Sequence, residues 1–99
     1  MKTIMVRYQT SAAQAAENER LVRAVFDELR AQAPGGFRYA SYRLADKVTF
    51  VHIATLDSPD ENPLIALPAF KAFQKDHKAR CVEPPVLTEL IAIDSYGQA

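Results

Sequence analysis

One cysteine, Cys81, stands in the whole chain. No disulfide framework can form within it, which favours a reducing compartment, and a zinc site built from several cysteines is excluded. Charge of one sign is missing too: 12 Lys and Arg balance 12 Asp and Glu. A neutral chain has no global field to draw in nucleic acid or an anionic lipid surface. No apolar run approaches the roughly 20 residues of a membrane span. The opening MKTIMVRYQT alternates instead of forming the apolar block of a secretory signal. The expectation is a cytoplasmic protein without nucleic-acid or membrane partners. A phosphate loop, a Ser-His-Asp order and a metal-spaced cluster are also missing, so no metal site is expected. With no repeat and no linker, the 99 residues read as one domain over 1–99.

What is present is apolar residue in quantity, 48% of the chain. That is enough for a core and a subunit interface together, and a chain this short gains by burying surface in an oligomer. Residues 3–10 alternate, with Ile4, Val6 and Tyr8 on one side and Thr3, Met5, Arg7 and Gln9 on the other. This is the period of a strand. Ser11 is a candidate N-cap for a helix to about Ala33, on which Leu21, Val22, Val25, Phe26 and Leu29 form an apolar stripe. Pro34-Gly35-Gly36 ends it. Residues 37–44 and 48–56 read as a hairpin closed by Ala45-Asp46-Lys47. DSPDENP is a loop, residues 64–67 a helical turn, and Pro68 the first residue of a helix over 68–80. Residues 86–95 form a last strand and 96–99 a tail.

The order β-α-β-β-α-β predicts the ferredoxin-like α+β fold, an antiparallel sheet with both helices on one face. The strands are apolar at both alternations: Ile4 and Val6 beside Met5, and Val51 and Ile53 beside Phe50 and Ala54. A sheet with one wet face shows polar residues at every second position. The simplest cover is a second copy of the same sheet, giving a homodimer.

The strand VRYQT, the helix with ENERLVRAVFDEL, the hairpin RYASYRLADKVTFVHIAT and the segment LPAFKAFQKDHKARC together resemble the antibiotic biosynthesis monooxygenase family. The resemblance spans nearly the whole chain. It implies a dimeric α+β barrel of two ferredoxin-like protomers joined sheet to sheet. It further implies a cofactor-independent monooxygenase acting on a small aromatic, quinol-like substrate. The alternative is a non-catalytic small-ligand-binding or structural dimeric barrel, and a third reading is haem binding. Members often place an asparagine, a tryptophan and a histidine around the pocket. This chain has no tryptophan, offers Gln9 where haem-degrading members carry asparagine, and matches the histidine that ligates their haem with His77.

The residues themselves supply the candidates. His77 follows Phe70 by seven positions and so lies within about 20° of it around a helix. It is either a general base, a ligand to a metal or haem, or a histidine at the edge of the core. His52 sits mid-strand between Val51 and Ile53 in a central strand, which predicts burial. It either receives a substrate proton or satisfies a cross-strand hydroxyl such as a tyrosine. Arg7, in the other central strand, is an anchor for an anionic ligand or half of an ion pair with Glu89. Tyr8, Phe50, Phe70 and Phe73 are flat walls for a planar ligand, or ordinary core. The catalytic candidates are therefore His77 and His52, and the ligand-binding candidates Arg7, Tyr8, Phe50, Phe70 and Phe73. Their pocket is expected between the sheet and the 68–80 helix. A pocket filled by Phe70, Phe73 and Leu67 with no void would count decisively against the monooxygenase reading.

Overall fold

The computed structural model describes residues 1–97; the expected tail at 96–99 falls partly outside them, at Gln98 and Ala99. The elements are β1 (Lys2–Thr10), a 3-10 turn (Ala12–Gln14), α1 (Ala15–Gln32), β2 (Phe37–Arg43) and β3 (Thr49–Leu56). A second 3-10 turn (Pro63–Ala66), α2 (Pro68–Gln74), α3 (His77–Arg80) and β4 (Cys81–Leu90) follow. The strands form one antiparallel sheet in the order β2-β3-β1-β4. This is the expected ferredoxin-like α+β arrangement.

Register decides what each face carries. Val6 opposes His52, which opposes Ser41; Tyr8 opposes Phe50. These residues turn toward the helices, where Tyr8, Phe50, Leu64, Leu67 and Phe73 join Val22 and Val25 of α1 in the core. The alternate residues Met5, Arg7, Val51, Ile53 and Val86 turn the other way.

Several boundaries differ from the sequence reading. Ser11 makes no side-chain cap; its carbonyl accepts from the Gln14 N–H at 3.1 Å, and a 3-10 turn precedes α1. The left-handed exit from α1 falls on Ala33, at φ 44°, because Pro34 disfavours the right-handed helical conformation for the residue before it. The helix expected over 68–80 is two helices. Lys75 turns extended and Asp76 takes a left-handed conformation at φ 61°, which a short polar side chain tolerates. Arg80 fills the break: its guanidinium donates to the carbonyls of Phe73 at 2.6 Å and Lys75 at 3.1 Å. Those carbonyls are left without helical partners by the break, and the cation satisfies them.

The last strand was expected at 86–95 and runs over Cys81–Leu90 instead. Arg7 pairs with Val86 and Gln9 with Glu83, so β4 takes three steps where β1 takes two. The extra residue is a bulge at Pro84-Pro85. Proline cannot donate to a ladder, and an edge strand with a bulge is where a sheet accommodates it. Beyond β4 the chain is exposed, with Ile91, Ile93 and Tyr96 bare to solvent.

Leu67 lies between the second 3-10 turn and α2 and is 1% exposed. Leu67→Ala opens a cavity where the two meet the core. The expected cost is about 2–5 kcal/mol, read as a lower urea midpoint with an unchanged slope.

Candidate functional site

Six of the seven candidate residues gather on the helix side of the sheet. The Tyr8 ring stacks on Phe50 with centroids 5.6 Å apart and on His52 at 5.3 Å. His77 stands edge-on to Tyr8 at 4.3 Å, and Phe73 lies 4.8 Å from His77. Phe70 stacks on Phe73 at 6.1 Å. The break in the helix has not moved His77 off the face it shares with the phenylalanines. Arg7 is the exception. It occupies the opposite alternation of β1, is exposed, and makes no ion pair among the described residues. Glu89, its expected partner, stands opposite Ile4 and so belongs to the other face. Arg7 and His52 do not share a site.

Three residues that the sequence reading did not single out complete the polar part. Asn18 of α1 is fully buried and donates from Nδ2 to the Tyr8 hydroxyl at 2.8 Å. Arg80, 5% exposed, donates from Nε to Asn18 Oδ1 at 3.1 Å. Ser41 of β2 bonds His52 Nδ1 at 2.5 Å, while His52 Nε2 meets the Tyr8 hydroxyl at 2.7 Å. Asn18 carried a signal: it sits four residues before Val22 and seven before Val25, on the apolar stripe of α1. A polar residue on such a stripe needs a buried partner. Ser41 carried none, because its neighbour depends on register.

The chain Arg80–Asn18–Tyr8–His52–Ser41 has a fixed direction. Arg80 can only donate, so the Asn18 oxygen faces it and the Asn18 amide N–H faces Tyr8. The Tyr8 oxygen thus accepts from Asn18. Its own hydrogen is 2% exposed with the ring, and the one acceptor within reach is His52 Nε2. The opposite choice would bury that hydrogen unpaired, a cost of about 1–3 kcal/mol. His52 therefore carries its proton on Nδ1 and donates to the Ser41 oxygen. The Ser41 hydrogen is then left for the neighbouring Tyr39 hydroxyl, to which Ser41 is hydrogen-bonded.

Electrostatics keeps every link but the first neutral. Burial, with His77 adding to it, pushes His52 from its ordinary 6.5 down to about 4. Burial and the Arg80 cation push His77 to about 4 as well. Burial raises the Tyr8 hydroxyl far above its ordinary range and the Tyr39 hydroxyl to about 12. The Cys81 thiol, 3.6 Å from His77 Nε2, is also raised by burial, in keeping with a packed thiol rather than a nucleophile. Among the described residues no three His, Cys, Asp or Glu side chains converge. No helix there is long and apolar enough to cross a membrane.

The space between sheet and α2, bordered by Val22, Val25, Tyr39, His52, Phe70 and Phe73, has no room for a water molecule. The pocket expected there is closed by its own aromatic walls. Open space lies next door. A groove of about 580 Å³ runs between α1 and β2, with Phe26, Arg23 and Arg30 on one wall and Ser41, Arg43 and Phe50 on the other. Ser41 thus joins the buried chain to the groove.

Both histidines are neutral when folded and titrate near the ordinary 6.5 when unfolded. Between those values the unfolded chain binds more protons, so the stability present above pH 6.5 is lost as pH falls toward 4. His52 alone accounts for about 2 kcal/mol between about pH 7.5 and pH 5. Urea midpoints should fall over that interval, and His52→Gln, which keeps a donor and an acceptor, should flatten the slope. An equal slope in both proteins would show that His52 is not the buried neutral group.

No family model and no curated protein matches the sequence. Solved structures do. SnoaB, a cofactor-independent oxygenase from Streptomyces nogalater, superposes with a TM-score of 0.70 at 21% identity, covering 98% of this chain and 97% of that one. An antibiotic biosynthesis monooxygenase matches with a TM-score of 0.74 at 17% identity over 95% of this chain and 100% of that one. NE2512, a protein of unknown function from Nitrosomonas europaea, matches with a TM-score of 0.74 at 13% identity over 99% and 94%. At such identities the likeness is one of fold. Over nearly its whole length, this chain resembles the antibiotic biosynthesis monooxygenases in the way it folds.

Proposed function

We propose that this protein is a cofactor-independent, monooxygenase-like enzyme of a small aromatic, quinol-like substrate, acting as a homodimer. One observation carries the chemistry. A neutral imidazole, His52, is hydrogen-bonded on both nitrogens, and its chain of partners reaches open space at Ser41. SnoaB, of like fold, is named a cofactor-independent oxygenase, which supports the same class here. In such a reaction the substrate supplies the electrons. An anthrone methylene loses two hydrogens and gains one atom of O2 as a carbonyl, and the other oxygen atom leaves as water. The difficult species is the substrate anion, and donors aimed at its oxygen lower the barrier to forming it. His77, whose only polar neighbour within hydrogen-bonding reach among the described residues is the Cys81 thiol, is the better placed of the two histidines to accept a proton. Phe73 packs against it, with ring centroids 4.8 Å apart.

A second reading has an observation of its own. The filled space behind His52 favours a small-ligand-binding or structural barrel with no reaction. Oxygen uptake separates the two. With a panel of anthrones and hydroquinones the enzyme reading expects uptake above the buffer rate, cut about 100-fold or more in His77→Ala. Uptake equal to the buffer rate across the panel leaves the second reading.

The homodimer rests on the face of the sheet away from the helices. Met5, Val51, Ile53 and Val86 lie there, Val86 60% exposed, with no described element over them. A second copy of the same face covers them with two-fold symmetry. Sedimentation at micromolar concentration should give the mass of two chains, and Ile53→Lys the mass of one. A monomeric wild type at that concentration ends the dimer.

A further inference from the structure

We infer that residues 91–95 of one protomer form the strand that pairs with the open edge of β2 in a second copy of this chain. The inference deepens the homodimer reading and rests on it. It adds which edges meet and which segment joins them.

The sheet has two open edges, β2 and β4. Residues that exchange backbone bonds across an antiparallel pair alternate with residues that do not. At the ends of β2, the Asp57 N–H donates to the Gly36 carbonyl at 2.9 Å and the Leu44 N–H to the Thr49 carbonyl at 2.8 Å. Even-numbered residues therefore face β3, and Phe37, Tyr39, Ser41 and Arg43 turn their N–H and C=O to the open edge. The same rule fixes β4. The Thr10 N–H donates to the Val48 carbonyl at 2.9 Å, so even-numbered residues of β1 serve β3, and Thr3, Met5 and Arg7 serve β4. Their partners Leu90, Thr88 and Val86 are engaged, and Leu87 and Glu89 look outward.

An edge with bare backbone groups is a template for another strand. The chain carries such a strand and cannot use it at home. Ile91-Ala92-Ile93-Asp94 continues the alternation of β4, but β1 begins at Lys2 and Leu90 is already opposite Thr3. Past that point the segment has no strand of its own sheet to lie on, and Ile91 and Ile93 stand 87% and 99% exposed.

Parity lets the two meet. Carried on from Leu87 and Glu89, Ile91 and Ile93 turn their backbone groups outward and their side chains to the helix side of the sheet. The odd-numbered residues of β2 do the same, since they oppose Leu56, Ala54, His52 and Phe50. Neither edge has to turn over. The isoleucines then come down beside Phe37 and Tyr39, where Phe26, Leu29 and Ala33 line an apolar hollow of about 300 Å³. Asp94, on the other alternation, shares the far face with Arg38, whose own carboxylate partner, Asp57, is a loose 3.8 Å away. Two-fold exchange gives each β2 the other copy's segment, so the assembly stops at two chains.

Amide hydrogen exchange, read residue by residue by NMR, tests this on the full-length protein at a concentration where sedimentation gives two chains. The amides of Phe37, Tyr39, Ser41 and Arg43 should exchange at least about 100-fold more slowly than open amides. Those of Arg38, Ala40 and Tyr42 are protected by β3 in any case and report the fold. Ile93→Pro removes a donor that faces the edge. It should free the odd-numbered amides, leave the even-numbered ones protected, and weaken the dimer at least about tenfold. The double variant Ile91→Ser, Ile93→Ser keeps every donor and removes the apolar side chains; it should weaken the dimer at least about tenfold as well. A dimer whose odd-numbered amides exchange freely, one whose protection survives in Ile93→Pro, or one equally tight in either variant overturns the inference. The homodimer reading then stands on Met5 and Ile53 alone. A monomeric wild type overturns both readings, whatever its amides do.

Discussion

A buried cation without a carboxylate organises this molecule. Arg80 is nearly inaccessible, yet it makes no ion pair among the described residues. Burying a charge is costly unless it is well hydrogen-bonded. Here the guanidinium meets the carbonyls of Phe73 and Lys75, the side-chain oxygen of Asn18, and the face of Phe73 at 5.4 Å. Each contact has a consequence. The two carbonyls can face Arg80 only because the helix stops at Gln74, so the cation and the break require one another. The bond to Asn18 turns its amide toward Tyr8 and thereby fixes the proton on every later link. Local backbone geometry and the polarity of the candidate site thus have one cause.

The architecture was legible because it rests on period. Alternation in residues 3–10 and 48–56 gave the strands within a residue, and the stripe of α1 gave the helix with its start three residues early. The apolar character of both alternations pointed to a sheet with something on each side. What period cannot give is partnership. His52 was readable as buried and in want of a cross-strand hydroxyl. That the hydroxyl is Tyr8 on one side and Ser41 on the other follows from register, which no single strand encodes. Arg7 failed for the same reason: one residue along a strand is the other face of the sheet. Pro84-Pro85 misled differently. Prolines argue against a strand in general, but a bulge on an edge strand is the case in which they are at home. Arg80 gave no sign, because its role depends on a helix break that pattern alone does not mark.

The closed interior changes where chemistry can be sought. Stacked rings fill the space that the sequence reading reserved for a ligand, and they do so around polar groups that are all satisfied. No buried side-chain polar atom among the described residues lacks a partner. A site waiting for a ligand usually shows the opposite, an unmet donor or acceptor aimed into a void. In this molecule the polar chain instead runs outward to Ser41 on the edge strand β2, beside the open groove.

That displacement also bears on what His52 is for. Both nitrogens of His52 are already engaged, so it has no free lone pair to offer a phenol. Protonating it would place a second positive charge on a chain that already begins with one at Arg80. The same burial that spoils it as a base suits it as a conductor of polarity, since a neutral ring can accept on one nitrogen and donate on the other with no net charge to desolvate. The residue that looked like the base is better understood as the link that joins a buried cation to the edge strand through one continuous run of hydrogen bonds.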